Sequence, residues 1–354
     1  MTEIPNLYSF ATKELAQDAT LAYILAWSQP KYRKSHPRLN GLGTEMLRAL
    51  LATKLDESSI PDIRDLEIKT QYHRIDVLVL INDENEDGLV LLIEDKVGTN
   101  EHSNQIEHYI KVAEEHYPNR KIVPVYMKTG NASQCHLPSA EKCGRFLRRD
   151  LLGVLVRFQD TGDTIADNFR THLQDWERET NNYRNVCWSE WGEKWVRFEG
   201  FYTELEKQME EACEWSSWGW EFVNNPSGGF LGFFFAETPI EWGPDKVIMY
   251  LQIENATRLT VRLGDRDGPG IRAPLMYKVL GLLEDNALRS GDVRIKKAGR
   301  FRGGKSGAVA QITFGTENGY LALKDGCIVD LEATMQRLRR ARKFVAEVGS
   351  HTGR

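Results

Sequence analysis

Arg74-Ile75-Asp76-Val77-Leu78-Val79-Leu80-Ile81, then Asn82-Asp83-Glu84-Asn85-Glu86-Asp87-Gly88, then Leu89-Val90-Leu91-Leu92-Ile93-Glu94-Asp95-Lys96: two apolar runs enclose one polar stretch. Short runs rich in Val, Ile and Leu, with no polar face at helical period, predict buried strands, and the polar stretch predicts the turn between them. Side chains alternate along a strand, so Glu94 and Lys96 leave one face of the sheet and Asp95 the other. A hairpin that sets Ile81 beside Leu89 carries Asp76, eighteen residues before Glu94, back to the same end of the sheet. Two acids and one ammonium are then expected at a common point.

That grouping has a chemistry. Two carboxylates offer hard oxygen ligands to one or two Mg²⁺ ions. Such an ion polarises a phosphoryl oxygen, acidifies a bound water and stabilises the leaving oxygen. Lysine beside them offers a point charge to the transition state or, if its pKa is depressed, a base for the attacking water. Glu-x-Lys by itself decides nothing, because Glu67-Ile68-Lys69 is a second copy; no Asp lies a hairpin's length before it, and it predicts a solvated strand face. Asp83 to Gly88 followed by Glu94 also satisfies the EF-hand calcium-loop pattern. An EF-hand needs a helix on each side, whereas both flanks here have strand character, so a polar hairpin is the preferred reading.

Outward from the hairpin, Tyr8 to Ser28 carries apolar residues at helical spacing, and prolines, basic residues and glycines break the pattern from Gln29 to Gly43. A second helix is predicted from Thr44, its expected N-cap, to Leu55, with Met46, Leu47, Leu50, Leu51 and Leu55 along one side. Asp65 to Thr70 predicts a strand ahead of the hairpin. Asn100 to Tyr117 predicts a helix ended by Pro118-Asn119, and Ile122 to Met127 another strand. The order is helix, three strands, helix, strand.

This order, with Asp76 in its apolar run and Leu92-Ile93-Glu94-Asp95-Lys96 after the turn, resembles the core of the PD-(D/E)xK nuclease superfamily. The resemblance spans about Asn40 to Thr129, roughly a quarter of the chain. It implies an α/β fold of restriction-endonuclease type, a mixed sheet flanked by helices. It also implies metal binding by Asp76 and Glu94, with Lys96 acting on the water or the transition state. Glu45 stands where many members place an accessory metal-binding acid. Gln105 and Tyr109, four apart on one helix face, resemble the Gln-x-x-x-Tyr element of part of the superfamily, which implies that they hold Lys96 and the scissile phosphate. Mg²⁺ is the implied cofactor, with Mn²⁺ able to replace it, and nucleic acid, DNA first, is the implied substrate. No proline precedes Asp76, a departure many members share. Plainer readings stand beside these: a surface ion pair for Glu94 and Lys96, an exposed helix acid for Glu45, and an ordinary inner helix face for Gln105 and Tyr109.

With 354 residues the chain is long for one core. Two domains are expected: residues 1–180, nuclease-like, and residues 181–354, an α+β domain that would bind nucleic acid or a protein partner, a second copy included. Gly144 to Phe158 is ambiguous between helix and strand. Helices are predicted from Asp163 to Thr180 and around Trp195 to Met209. Strands are predicted at Trp218 to Val223, Phe230 to Ala236, Lys246 to Glu254 and Leu259 to Leu263, in a remainder that is strand-rich until a last helix at Asp330 to Val348.

Basic residues segregate within a chain of net charge −5. Arg294, Lys296, Lys297, Arg300, Arg302 and Lys305 form one stretch; Arg337, Arg339, Arg340, Arg342 and Lys343 lie on the last helix. They suit a phosphate-tracking surface or, equally, a solvated loop and helix face. Trp176, Trp188, Trp191, Trp195, Trp215, Trp218, Trp220 and Trp242 favour core packing over a base-stacking platform. Cys135, His136 and Cys143 lack a fourth ligand at zinc spacing. Gly303-Gly304-Lys305-Ser306 lacks the strand and helix of a P-loop.

Five scattered cysteines make no disulfide framework and suit a reducing cytoplasm. The first residues lack the pattern of a signal peptide, and the apolar runs are too short to span a bilayer. The expected protein is soluble and cytoplasmic, without membrane attachment. Its expected activity is that of a metal-dependent endodeoxyribonuclease in restriction, repair or antiviral defence. Its rivals are a catalytically silent nucleic-acid-binding module on the same fold and an interaction protein that docks through the tryptophan-rich half.

Overall fold

A computed structural model of the chain describes residues 5–11, 13–83, 87–99, 104–212, 219–225, 228–242, 245–265, 270–301, 303–315 and 319–350. Contacts divide it into two units. One takes the chain up to Asn131 and then His136–Arg178; the other takes Ala132–Cys135 and Glu179 onward.

In the first unit α1 (Glu14–Ala26) and α2 (Pro37–Leu51) lead into β1 (Leu66–Tyr72), β2 (Ile75–Ile81) and β3 (Leu89–Lys96). Then follow α3 (Gln105–His116), β4 (Lys121–Lys128), β5 (Gly144–Leu147), α4 (Arg148–Arg157) and α5 (Thr164–Asn181). One five-stranded sheet runs in the order β1-β2-β3-β4-β5. β1, β2 and β3 are antiparallel neighbours, while β3, β4 and β5 run parallel. Ile81 pairs with Leu89 and Val77 with Ile93, so the hairpin register follows the apolar alternation.

Both faces of the sheet are covered, and for that reason β2 and β3 are apolar nearly throughout. Val77, Val79, Ile81, Leu91 and Ile93 pack in one core with Leu21 and Ile24 of α1 and Met46 and Leu50 of α2. Leu78, Leu80, Val90 and Leu92 pack instead with Tyr109 and Ala113 of α3. Alternation puts Glu94 and Lys96 on the α3 face. Strands on both sides of Asp83–Gly88 exclude an EF-hand there; residues 84–86 of that turn lie outside the described residues.

Two expectations change. α2 begins at Pro37 in its first turn, where a missing N–H removes no helix bond, so Thr44 lies mid-helix and is no cap. Gly144 to Phe158 resolves into β5 and α4. α1 and α2 approach closely at Gly43, where an added Cβ would lie 2.6 Å from both the Ile24 carbonyl oxygen and the Ser28 nitrogen. Gly43→Ala is expected to destabilise the protein by about 1–2 kcal/mol, because overpacking against backbone outweighs the helix-propensity gain of about 1 kcal/mol. A denaturant midpoint equal to or above that of the wild type would disprove the close approach.

The second unit contains α6 (Val196–Ala212), β6 (Gly219–Val223), β7 (Phe230–Trp242), β8 (Asp245–Glu254), β9 (Arg258–Gly264), α7 (Ala273–Ser290), β10 (Arg294–Lys297), β11 (Ser306–Thr313) and, after the small hairpin of β12 (Leu323–Lys324) and β13 (Ile328–Val329), α8 (Leu331–Gly349). Its six-stranded sheet has the order β10-β11-β9-β8-β7-β6, antiparallel throughout. Phe201 and Leu205 of α6, Val279 and Leu283 of α7, and Leu338 and Val345 of α8 close its core over Phe233, Leu251 and Val261.

Trp191 and Trp220 are buried in that core and Trp188 packs against it. Trp176 stacks on the Arg148 guanidinium in the first unit. Trp215, Trp218 and the side chain of Trp242 lie outside the described residues. Ala132–Cys135 belongs to the second unit because Glu206 of α6, buried at 1% exposure, accepts hydrogen bonds from the Ser133 hydroxyl and the Gln134 N–H. Among the described residues no helix is long and apolar enough to cross a membrane.

Candidate active site

The antiparallel β2–β3 ladder fixes the site. Asp76 opens β2, Glu94 and Lys96 close β3, and the N–H of Asp95 donates to Asp76 Oδ2 at 2.9 Å across the strands. Lys96 Nζ forms an ion pair with Glu94 and lies 3.9 Å from Asp76 Oδ2. The structure thus brings Asp76, Glu94 and Lys96 together.

Glu94 is fully buried, and its Oε2 has no hydrogen-bond partner. Burial pushes its carboxyl up to about 7; the Lys96 ammonium pulls it down and the Asp76 charge pushes it further up. Burial works to lower Lys96, but the carboxylates of Glu94, Asp76 and Glu14 outweigh it and hold the ammonium above its ordinary range. A lysine in that condition is a cation at neutral pH. It suits the charge-stabilising role.

A second layer of polar groups comes from α1. Glu14 Oε1 accepts from the Val97 N–H at 3.0 Å and the Thr99 hydroxyl at 2.9 Å. Burial would raise the Glu14 carboxyl, but these donors and the Lys96 charge hold it below the usual range. The Gln71 amide donates to Asp18 Oδ2 at 3.1 Å and to Asp76 Oδ1 at 3.2 Å. Burial, with the Asp76 charge, raises Asp18 to about 6. Behind it, Asp95 is raised well above the carboxylate range by burial and by Asp18, and accepts from Gln17 Nε2 at 2.6 Å.

The sequence reading did not anticipate Glu14, Gln17 or Asp18. A signal was present: they lie on the stripe that continues as Leu21, Ile24 and Leu25. Polar residues on a core-facing stripe must find partners when buried.

Glu45 is not among the gathered residues. Its carboxylate pairs with Arg157 of α4 at 2.8 Å, and α2 gives its apolar side to the core on the sheet face opposite Lys96. Gln105 Nε2 donates to the Tyr109 hydroxyl at 2.9 Å. Tyr109 packs on Leu78, Leu80 and Leu92, on the sheet face shared by Glu94 and Lys96. Among the described residues neither Gln105 nor Tyr109 hydrogen-bonds Lys96.

In the second unit Arg294, Lys296 and Lys297 lie on β10, an edge strand, and Arg300 and Lys305 are exposed nearby. Arg302 lies outside the described residues. Lys297 packs over Tyr277 and Phe301, 4.5 and 4.7 Å from their ring centres. On α8, Arg340 pairs with Asp292 at 3.0 Å, and Arg337 donates to the Leu321 carbonyl. Part of the late basic charge therefore serves structure.

Among the described residues Asp76 and Glu94 place carboxylate oxygens beside the Lys96 ammonium, and the Glu14 and Asp18 carboxyls act on it through space, so acids outnumber cations here. An all-oxygen, acid-rich cluster containing a buried carboxylate oxygen with no hydrogen-bond donor suits a hard divalent cation. Among the described residues no three acid, histidine or cysteine side chains converge closely enough to hold an ion as they stand. Lys96, paired with Glu94 and near Asp76, takes up the space between the two acids.

A family model described as the PD-(D/E)XK nuclease superfamily matches residues 5–207, which takes in α1 and its acids as well as the hairpin. No curated protein and no solved structure matches the chain. With more than half of its length under that match, and a mixed sheet that gathers Asp76, Glu94 and Lys96 on one face, the chain belongs to the PD-(D/E)XK nuclease superfamily.

Proposed function

We propose that the chain is a divalent-metal-dependent endonuclease that hydrolyses phosphodiester bonds of DNA, in restriction, repair or antiviral defence within the cytoplasm. The observation that carries this reading is the buried Glu94 carboxylate beside Asp76, with Lys96 as their close cation among the described residues. Asp76 and Glu94 would hold the metal, with Glu14 and Asp18, in place of Glu45, as the accessory acids. Mg²⁺ suits these donors and Mn²⁺ can substitute. Once bound, such a cation polarises the phosphoryl oxygen and supplies an acidified water.

The chain's own residues do the rest. Lys96, held as an ammonium, meets negative charge that develops on the phosphoryl oxygens. The Asp95 N–H and the Gln71 amide each bond one oxygen of Asp76 and so fix its orientation. Gln105 and Tyr109, bonded to each other, stiffen the α3 wall on the face that carries Lys96. The exposed basic residues of β10 and its following loop would track phosphates, or meet a protein partner.

Incubating the protein with supercoiled, linear and single-stranded DNA and with RNA, with and without Mg²⁺ or Mn²⁺, tests the reading. Metal-dependent loss of supercoiled circles is expected. Salt-sensitive binding without turnover in either ion would instead select the silent nucleic-acid-binding module. Cleavage of RNA alone would replace the substrate.

A further inference from the structure

β1 and β2 are joined by a two-residue turn, His73-Arg74, closed by the pair Tyr72 and Ile75. His73 and Arg74 have positive φ, 51° and 71°, and Gln71 just before them has φ 53°. A turn of this kind is filled without strain by Asn-Gly, because a Cβ disfavours left-handed backbone. Three residues with side chains adopt it here within four positions. Backbone strain persists where the surrounding structure enforces it, and it clusters at functional sites.

For Gln71 the return is visible: its amide bonds both Asp76 and Asp18. For His73 and Arg74 no hydrogen bond or ion pair among the described residues accounts for their choice. Both are exposed. Among the described residues Arg74 makes no ion pair and no hydrogen bond, whereas the exposed Arg38, Arg64 and Arg184 pair with Asp160, Asp87 and Glu204. The His73 ring lies 4.4 Å from that of His116, at the end of α3, and 4.5 Å edge-on from Tyr72. Lys69 adds a second cation 5.1 Å from the Tyr72 ring, bonded to the Tyr117 hydroxyl at 3.0 Å. A cationic tip on an aromatic base thus stands two residues from Asp76 and is tied to it through Gln71.

We propose that His73 and Arg74 form a phosphate-binding subsite for the nucleic-acid strand, with His116 and Tyr72 as its floor, gripping a backbone phosphate that flanks the one cut. A guanidinium binds phosphate by two parallel hydrogen bonds and an imidazole N–H adds a third. Such a contact positions the strand and carries no sequence preference. The inference rests on the nuclease reading above.

The test compares wild type, Arg74→Ala, the double variant His73→Asn/Arg74→Gly and, as a control for bulk charge, Arg178→Ala. Binding of a labelled DNA duplex is followed by anisotropy at several salt concentrations without metal, and cleavage is followed with Mg²⁺. Arg74→Ala should raise Kd and KM about 10-fold and reduce the salt slope by about one, with kcat nearly unchanged. Arg178→Ala should leave all of these as in wild type. The Asn-Gly variant should melt at or above the wild-type temperature yet bind at least as weakly as Arg74→Ala, which a purely structural role for the turn would not produce. Wild-type affinity and salt slope in either turn variant, from a protein that still cuts DNA, would overturn the subsite and leave the nuclease reading intact. A wild-type protein that neither binds nor cuts any nucleic acid would overturn both.

Discussion

Lys96→Met is expected to slow the proposed metal-dependent DNA cleavage by about 10²–10³-fold, the scale on which loss of a single transition-state charge partner is felt. The effect is compound. Lys96 is the cation that pulls the buried Glu94 carboxyl down toward its ordinary range, so without it Glu94 keeps its proton at neutral pH and loses value as a metal ligand as well. Asp76→Asn should fail to a similar degree for a different reason. Its amide oxygen can still accept from the Asp95 N–H, so the hairpin keeps its shape while the site loses a negative charge. Companion variants separate the helix acids: Glu14→Gln should lose about 10²-fold in cleavage, whereas Glu45→Gln, which breaks only a surface pair with Arg157, should change cleavage less than about twofold and stability by about 0–1 kcal/mol. Full activity in Lys96→Met or Asp76→Asn, measured on plasmid DNA with folding verified by circular dichroism, rejects the assignment of the site.

Without metal, the protein should lose stability as pH rises from about 4.5 to about 8, and Glu94→Gln should remove most of that loss. The Glu94 carboxyl sits at about 7 in the folded protein against an ordinary 4.5. Between those values the folded chain keeps a proton that the unfolded chain has released. The unfolded state therefore binds fewer protons, and unfolding free energy falls with pH. A shift of that size corresponds to about 3 kcal/mol, fully present as stability below the unfolded value and gone above the folded one. Asp18, raised to about 6, adds a change of the same sign. Gln at position 94 has no charge to bury, so the variant should be the more stable protein at pH 8. Mg²⁺ should stabilise wild type there and leave the variant nearly unchanged. Denaturant midpoints from pH 5 to 8 decide the matter, and a wild type that gains stability across this range contradicts the picture.

The hairpin was legible because two properties coincided. The apolar runs of β2 and β3 have the length and β-branched content of strands buried on both faces, and the polar stretch between them can only turn. Given that register, the meeting of Asp76, Glu94 and Lys96 follows from geometry. The acids of α1 were harder to see. Glu14 and Asp18 look like ordinary acids near a helix start, and which of two leading helices delivers an acid to the sheet depends on how α1 and α2 cross, which a contact as local as Gly43 sets. Glu45 lies apart from the gathered residues, paired with Arg157, whereas the acids of α1 continue a core-facing stripe of their helix.

In the second unit, α7 was hidden among strands although Leu275, Met276, Val279, Leu280 and Leu283 have helical spacing. β7 ran past its expected end through Pro239, because a register shift between Phe235 and Thr238 absorbs a segment that strand propensity alone would terminate.

The tetrapeptide Ala132–Cys135 has a practical meaning for anyone dividing the molecule. It departs from the middle of the nuclease sequence to satisfy Glu206 and then returns, so the boundary in space is crossed three times by the backbone. A fragment started at residue 181 would inherit a sequestered acid stripped of two donors, and one ended at residue 180 would carry an orphaned loop. The two halves are interlaced in their covalent order, and no single scission yields both intact.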